Sequence, residues 1–198
     1  MNKLIFATNN QNKVEEIKNV IGDLFDVVSL KEAGIDIDIP EPHNTLEENA
    51  SEKSRIIYKL TSQNCFSEDT GLEAEALNGE PGVKSGRYAG EGKNFKDNIE
   101  KLLLVLNGTK NRKARFRTVI SLIMGGNENL FSGICEGNLT YEPKGEKGFG
   151  YDSVFIPVGD TRTFAEMSLE DKNHFSHRKK AINQVLSFLS QNGKKMYQ

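Results

Sequence analysis

"KLIFATNNQNKVEEIKNVIGDLFDVVSL", residues 3–30, is the stretch that decides the fold class. "KLIFAT", residues 3–8, reads as a buried opening strand, and "NNQN", residues 9–12, as a polar turn. From Lys13 onward, Val14, Ile17 and Ile21 recur at helical spacing, with Gly22 as the stop. "FDVVSL", residues 25–30, reads as a second strand. Strand, tight polar turn, helix and strand form a βαβ opening, which predicts an α/β fold.

The rest of the chain extends that reading. Residues 31–44 form an irregular acidic loop, and Thr45 with Glu48 forms a capping box that starts a helix running to about Leu60. "NCF", residues 64–66, is expected as a short strand that delivers Glu68 and Asp69 at its end. Leu72, Ala74 and Ala76 alternate with acids, which suggests a separate, edge-like strand. Glycines at 79, 82, 86, 90 and 92 then predict an open, bending loop. A helix is expected over Asn94–Leu106, closed by Gly108. Residues 114–126 and 129–141 pair as an antiparallel hairpin, so the sheet is mixed. "KGEKGFGYDSVFIP" reads as a glycine loop entering a strand. "SHRKKAINQVLSFLSQ" reads as an amphipathic helix with Ser176 as its candidate cap.

Bulk properties narrow the function classes. The 198 residues suit one domain, 1–198, and the formal net charge of -2 disfavours binding to DNA or RNA. A small phosphorylated ligand needs only a few local cations and remains compatible. No apolar run approaches a membrane span, and the N-terminus turns polar too early for a signal peptide. Cys65 and Cys135 read as reduced core residues of a cytoplasmic protein.

Several short constellations could carry chemistry. Glu68 and Asp69 could hold Mg²⁺ and orient a water, or could be turn acids bonded to backbone N–H groups. Glu41, in "IPEP", could complete a metal site or could be a solvated loop acid. Thr8, Asn9, Asn10, Gln11, Asn12 and Lys13 lie between a strand and a helix, where backbone N–H groups attract anions. They lack the spaced glycines of a Walker loop. Phe149 or Tyr151 could stack on a base, and Asp152 could accept from one; a turn with buried aromatics fits equally. His177 and Arg178 place donors at a helix start, where a nearby anion or carbonyl oxygen would explain them.

The order of these blocks is more specific than any one of them. "FATNNQNKVEEI", "TLEENASEKS", "EDTGLEAEALNGEPGVKSGRYAG", "GFGYDSVF" and "SHRKKA" together resemble the inosine triphosphate pyrophosphatase family over nearly the whole chain. The resemblance implies a long mixed central sheet with two lobes around an active-site cleft, and a homodimer. It implies Mg²⁺-dependent hydrolysis of deaminated purine nucleoside triphosphates (ITP, dITP, XTP) to the monophosphate and pyrophosphate. Under it, Thr8 to Lys13 bind phosphate, Glu41 and Asp69 hold the metal, and Asp69 is also the general base. Thr70 is a substrate contact. Phe149, Gly150, Tyr151 and Asp152 form the base loop, and Lys172, His177 and Arg178 add nucleotide contacts. Lys13 and Lys53 are candidate counter-charges for the phosphates, with a simple exposed surface lysine as the competing reading of Lys53. The family commonly carries two aspartates before Ser/Thr-Gly; here Glu68 replaces the first, which makes it only a second choice as ligand. The alternatives are a nucleotide-binding regulator without catalysis, or a septum-type nucleotide pyrophosphatase of related fold.

Overall fold

A computed structural model describes residues 3–22, 25–92 and 94–193. The opening keeps the expected order of elements, but its helix starts at Gln11, two residues before Lys13, so Gln11 and Asn12 belong to the helix and not the turn. β1 (Lys3–Phe6) leads into α1 (Gln11–Ile21), and β2 (Asp26–Ser29) pairs with β1 in parallel. The Asn10 side chain caps α1 by accepting from the Lys13 N–H, and Val14, Ile17 and Ile21 are its buried apolar positions. α2 (Leu46–Thr61) starts at Thr45, whose hydroxyl accepts from the Glu48 N–H and donates to the Glu48 carboxylate. Leu46, Asn49, Ala50, Lys53, Ser54 and Ile57 line its buried side, a three-and-four spacing with a lysine in the middle.

β3 (Cys65–Ala74) departs from expectation. One ten-residue strand replaces a short strand followed by an edge-like one, and Glu68 and Asp69 lie within it rather than at its end. It is also interior, between β1 and β4 (Lys113–Met124). Gly71 does not break the strand: a Cβ there would sit 2.5 Å from the Gly82 carbonyl oxygen, so this glycine permits a close backbone approach instead of making a turn. Ala76 falls in a 3₁₀ turn after the strand.

β5 (Asn127–Leu139) follows β4 across Gly125–Gly126, and β6 (Phe155–Pro157) pairs antiparallel with β5. With β1 parallel to both β2 and β3, the six-stranded sheet is mixed, in the order β2-β1-β3-β4-β5-β6. α3 (Phe95–Val105) is capped by Asn94. A helix absent from the sequence reading, α4 (Leu169–Phe175), starts at Ser168, whose hydroxyl accepts from the Asp171 N–H. Ser176 closes α4, and α5 (His177–Gly193) follows directly.

The glycine-rich stretch after β3 is pinned, not open. Residues Gly82–Arg87 form a 3₁₀ turn. Within it, the Ser85 hydroxyl accepts from the Leu72 N–H and donates to the Gly82 carbonyl. Asn98 of α3 donates to the Gly86 carbonyl and accepts from the Ala89 N–H.

The chain divides into two compact units, with boundaries inside β3, β4 and β5 and after the first residue of α5. The first takes the N-terminal segment through Asp69, Thr118–Gly133 and the segment from Arg178 onward. Its core includes Leu4, Phe6, Ile17, Phe66, Ile120 and Ile182, with a smaller cluster around Ile5, Ile57 and Cys65. The second takes Thr70–Arg117 and Ile134–His177, and packs Leu72, Leu102, Phe116, Phe155 and Phe164. Cys65 and Cys135 are both buried, and neither is in a disulfide. Among the described residues, no helix is long and apolar enough to cross a membrane.

Candidate active site

Successive side chains of a strand point to opposite faces of the sheet. This separates Glu68 from Asp69. Glu68 continues the Phe66 face and meets α1 and α5; Asp69 continues the Cys65–Ser67 face and meets α2.

On the first face Glu68 is 2% exposed and held from several directions. Arg178 donates from Nε to Oε2 at 2.7 Å and from Nη2 to Oε1 at 2.9 Å, a bidentate fork. Lys13 Nζ lies 3.0 Å from Oε1. Arg178 Nη1 also donates to Glu16, a buried acid of α1 that the sequence reading missed. Burial alone would raise the Glu68 pKa, but Arg178 and Lys13 reverse this and hold its carboxyl well below the usual range. Both oxygens of Glu68 therefore already accept from cations, a poor starting point for a metal ligand. Arg178, expected to face a nucleotide, is directed at Glu68 and Glu16.

On the second face Asp69 is 7% exposed, and Lys53 Nζ lies 3.3 Å from its Oδ1. The same ammonium donates to Glu41 Oε1 at 2.7 Å. One lysine thus gathers an acid of the irregular loop and an acid of β3. Asp69 Oδ2 is buried with no hydrogen-bond partner among the described residues. Burial pushes the Asp69 pKa up, with a smaller push from Glu41; Lys53 and Lys13 pull it down without cancelling the rise. Burial would lower the Lys53 pKa, yet the Asp69 and Glu41 carboxylates raise it, so the ammonium stays charged. The loop carrying Glu41 is tied down locally, with Asn9 donating to the Ile37 carbonyl and Asn49 exchanging two hydrogen bonds with His43.

The N-terminal turn is ordered by its own side chains. The Thr8 hydroxyl accepts from the Asn10 N–H, and Asn10 caps α1. Asn9, Gln11 and Asn12 are exposed around a helix start whose N–H groups favour anions. Lys13 alone of this group reaches a buried acid, Glu68.

The second unit holds a separate set. Phe149 is half-buried, and Lys172 Nζ lies 5.4 Å from its ring centre and 5.2 Å from that of Phe164. Lys172 is itself buried and donates to Asp152 Oδ2 at 2.7 Å. The same oxygen accepts from the Phe149 N–H, folding Asp152 back on its own loop. Gly148 has φ +73°, and a Cβ there would overlap the Asp152 carboxylate, so only glycine fits this turn. Gly150 shares that loop. Tyr151 is 3% exposed and donates to the Ser85 carbonyl at 2.9 Å, which places its ring in the core. His177 stacks on Phe116 with ring centres 4.8 Å apart and planes 14° from parallel. Thr70, the first residue of this unit, continues β3 beyond Asp69. Of the missed residues, Phe116 and Phe164 had no local sequence signal, whereas Ser168–Asp171 repeats the capping spacing used to find α2.

Comparison with known proteins gives these sets a relative. The chain is 46% identical over 188 residues to a dITP/XTP pyrophosphatase of Flavobacterium johnsoniae, covering 95% of this chain and 98% of that one. It is 48% identical over 190 residues to the protein of the same name from Porphyromonas gingivalis, covering 96% and 98%. Its fold superposes on the structure of the Staphylococcus aureus Ham1 protein with a TM-score of 0.86 at 40% identity, covering 96% of this chain and 99% of that chain. The Ham1 family model matches residues 4–188. With nearly every residue of the fold inside that match, this chain belongs to the Ham1 family.

Proposed function

We propose that this protein hydrolyses deaminated purine nucleoside triphosphates (dITP, ITP and XTP) to the monophosphate and pyrophosphate, cleansing the nucleotide pool. The observation that carries the reading is Asp69: a buried carboxylate with one oxygen lacking any donor among the described residues, beside Glu41 and Lys53. It stands in a chain nearly half identical to dITP/XTP pyrophosphatases.

Asp69 and Glu41 suit a hard divalent cation, Mg²⁺ by this reading, because such ions commonly take only one or two protein carboxylates beside water and phosphate oxygens. No larger cluster of metal-binding side chains occurs among the described residues. When bound, the ion would neutralise charge on the triphosphate and acidify water. Asp69 positions the attacking water and accepts its proton, as its raised pKa favours. The oxygen of that water forms the new bond to the α-phosphorus while the α–β bridge breaks and pyrophosphate leaves. Lys13, Lys53 and the N-terminal turn face the phosphates, and Thr70 contacts the substrate. Phe149, Lys172 and Asp152 receive the base, with donors of the His177 ring at the 6-oxo group; Arg178, whose guanidinium is engaged by Glu68 and Glu16, supports that helix start and does not reach the base itself. Adenine presents a 6-amino donor there instead, and the mismatch leaves buried polar groups unpaired. Guanine also carries a 6-oxo group, so these donors do not reject it. Cytoplasmic action and a homodimer belong to the same reading and rest on the family resemblance; light scattering on the purified protein measures the second.

The test is pyrophosphate release from ITP, dITP, XTP, GTP and ATP with Mg²⁺, then with EDTA. Fast release from the first three, abolished by EDTA, is the expected result. Equal rates on all five would end the selectivity claim, and nucleotide binding without release would favour a regulator.

A further inference from the structure

Lys53 occupies an unusual place. It sits on the buried side of α2, one turn beyond Asn49 and Ala50 and one turn before Ile57, where an apolar side chain is ordinary. Its ammonium is removed from water, the residue being 6% exposed. It offers three N–H donors. Two point at carboxylates from separate segments, Glu41 Oε1 at 2.7 Å and Asp69 Oδ1 at 3.3 Å. A buried lysine with two buried or half-buried acids leaves the trio one negative charge in excess. That excess coincides with the unmatched oxygen, Asp69 Oδ2.

We propose that Lys53 is the resident counter-ion of the Glu41–Asp69 site. It holds the two carboxylates together in the metal-free protein and releases Asp69 when a divalent cation arrives. The inference rests on the reading of Glu41 and Asp69 as the cation site, and makes Lys53 a positioning residue rather than only a phosphate contact. Two like charges drawn to one point need a cation between them, and the longer of the two Lys53 contacts, that to Asp69, is the one to open. Lys53 and the dication compete for the same oxygens, so removing the lysine tightens metal binding even though it loosens the empty site.

The experiment titrates Mn²⁺ into nucleotide-free protein, followed by electron paramagnetic resonance. It uses wild type, Lys53→Met, Lys13→Met and the Glu41→Gln/Asp69→Asn double variant. Lys13→Met removes an equal charge near Asp69 without removing the bridge. Lys53→Met is expected to bind Mn²⁺ about tenfold more tightly than wild type, and Lys13→Met within about twofold of it. An unchanged or weaker affinity in Lys53→Met, or an equal gain in Lys13→Met, overturns the proposal while leaving the metal site standing. If wild type and the double variant bind Mn²⁺ identically, the cation reading itself fails, and the proposal with it. Thermal melts in EDTA give a second readout. The loss of Tm caused by Lys53→Met should shrink by at least about half when introduced into the double variant, because the acids it neutralises are gone. An undiminished loss assigns Lys53 to packing alone and overturns the proposal.

Discussion

On the α1 side of β3, Glu68 meets an arginine fork and a lysine; on the α2 side, one residue along, Asp69 meets a shared lysine and leaves an oxygen unmatched. Both carboxylates are buried, yet their pKa values move in opposite directions, down for Glu68 and up for Asp69. Burial opposes ionisation at both, so the difference lies in the surrounding charge: Arg178 and Lys13 overcome it at Glu68, whereas at Asp69 the lysines do not and Glu41 adds to the rise. A saturated buried charge holds the fold, whereas an unsaturated one is costly unless something else binds there.

The largest effect that follows is on turnover. Asp69→Asn should lower the rate of ITP hydrolysis at saturating Mg²⁺ by at least about a thousandfold, the scale of losing a central charged group in an active site. Its circular dichroism spectrum should be unchanged. Hydrolysis near the wild-type rate would erase the distinction drawn between the two acids. Arg178→Met probes the other face. It strands Glu68 and Glu16 in the interior with Lys13 as the remaining nearby cation for Glu68, and should cost about 3 kcal/mol in urea unfolding. Arg178→Lys should recover little, because an ammonium cannot reproduce the fork. A cost below about 1 kcal/mol would mean the cluster does not hold this unit together.

The opposed pKa directions sharpen the comparison further. Glu68 has a depressed pKa, so its contribution is present above its ordinary value of 4.5 and is lost as the pH falls below it. Asp69 has a raised pKa, so its contribution is present below 3.8 and is lost as the pH rises through the folded value. Wild type minus Glu68→Gln should therefore grow in stability with rising pH, and wild type minus Asp69→Asn should fall. Denaturant midpoints from pH 3 to 8 measure both slopes, and their opposite signs are the expected result. Slopes of the same sign would show that the two faces do not differ in saturation.

The sequence carried much of this and hid a definite part. Residues 3–30 were enough for the opening βαβ unit because Val14, Ile17 and Ile21 keep a clean helical period. Thr45 and Glu48 located the start of α2 within a residue. The pairing of Glu68 with Asp69 was misread for a simple reason: "DTG" looks like a turn, and only the carbonyl of Gly82, contributed from eleven residues away, shows that Gly71 belongs inside a strand. Once the strand is continuous, period two alone puts the acids on opposite faces. Lys53 was legible as a cation but not as a bridge, although its place on the Leu46–Asn49–Ala50–Ile57 stripe was a usable sign of burial. Glu16 and Phe116 could not be found from the chain, because their importance comes from partners far along it, Arg178 and His177.

The smallest effect concerns Tyr151, where the same rule of saturation applies to a neutral group. Its ring is in the core and its hydroxyl has one acceptor, the Ser85 carbonyl, toward which Asn98 also points a donor at 3.4 Å. Removing the hydroxyl leaves that carbonyl with the longer Asn98 contact, so Tyr151→Phe should cost only about 1 kcal/mol of stability. If Tyr151 stacked on the base, the Phe ring would do so as well and KM would stay put, so that variant alone does not separate the two roles. Tyr151→Leu does. A core role predicts a stability loss of about 2–4 kcal/mol with KM for ITP rising less than about threefold in the folded fraction. A stacking role predicts a KM rise of about tenfold or more, the worth of one base on an aromatic ring, with little change in unfolding. The buried ring and its bond to Ser85 favour the first outcome, and under the proposed function the half-buried Phe149 beside Lys172 is then the candidate for stacking on the base.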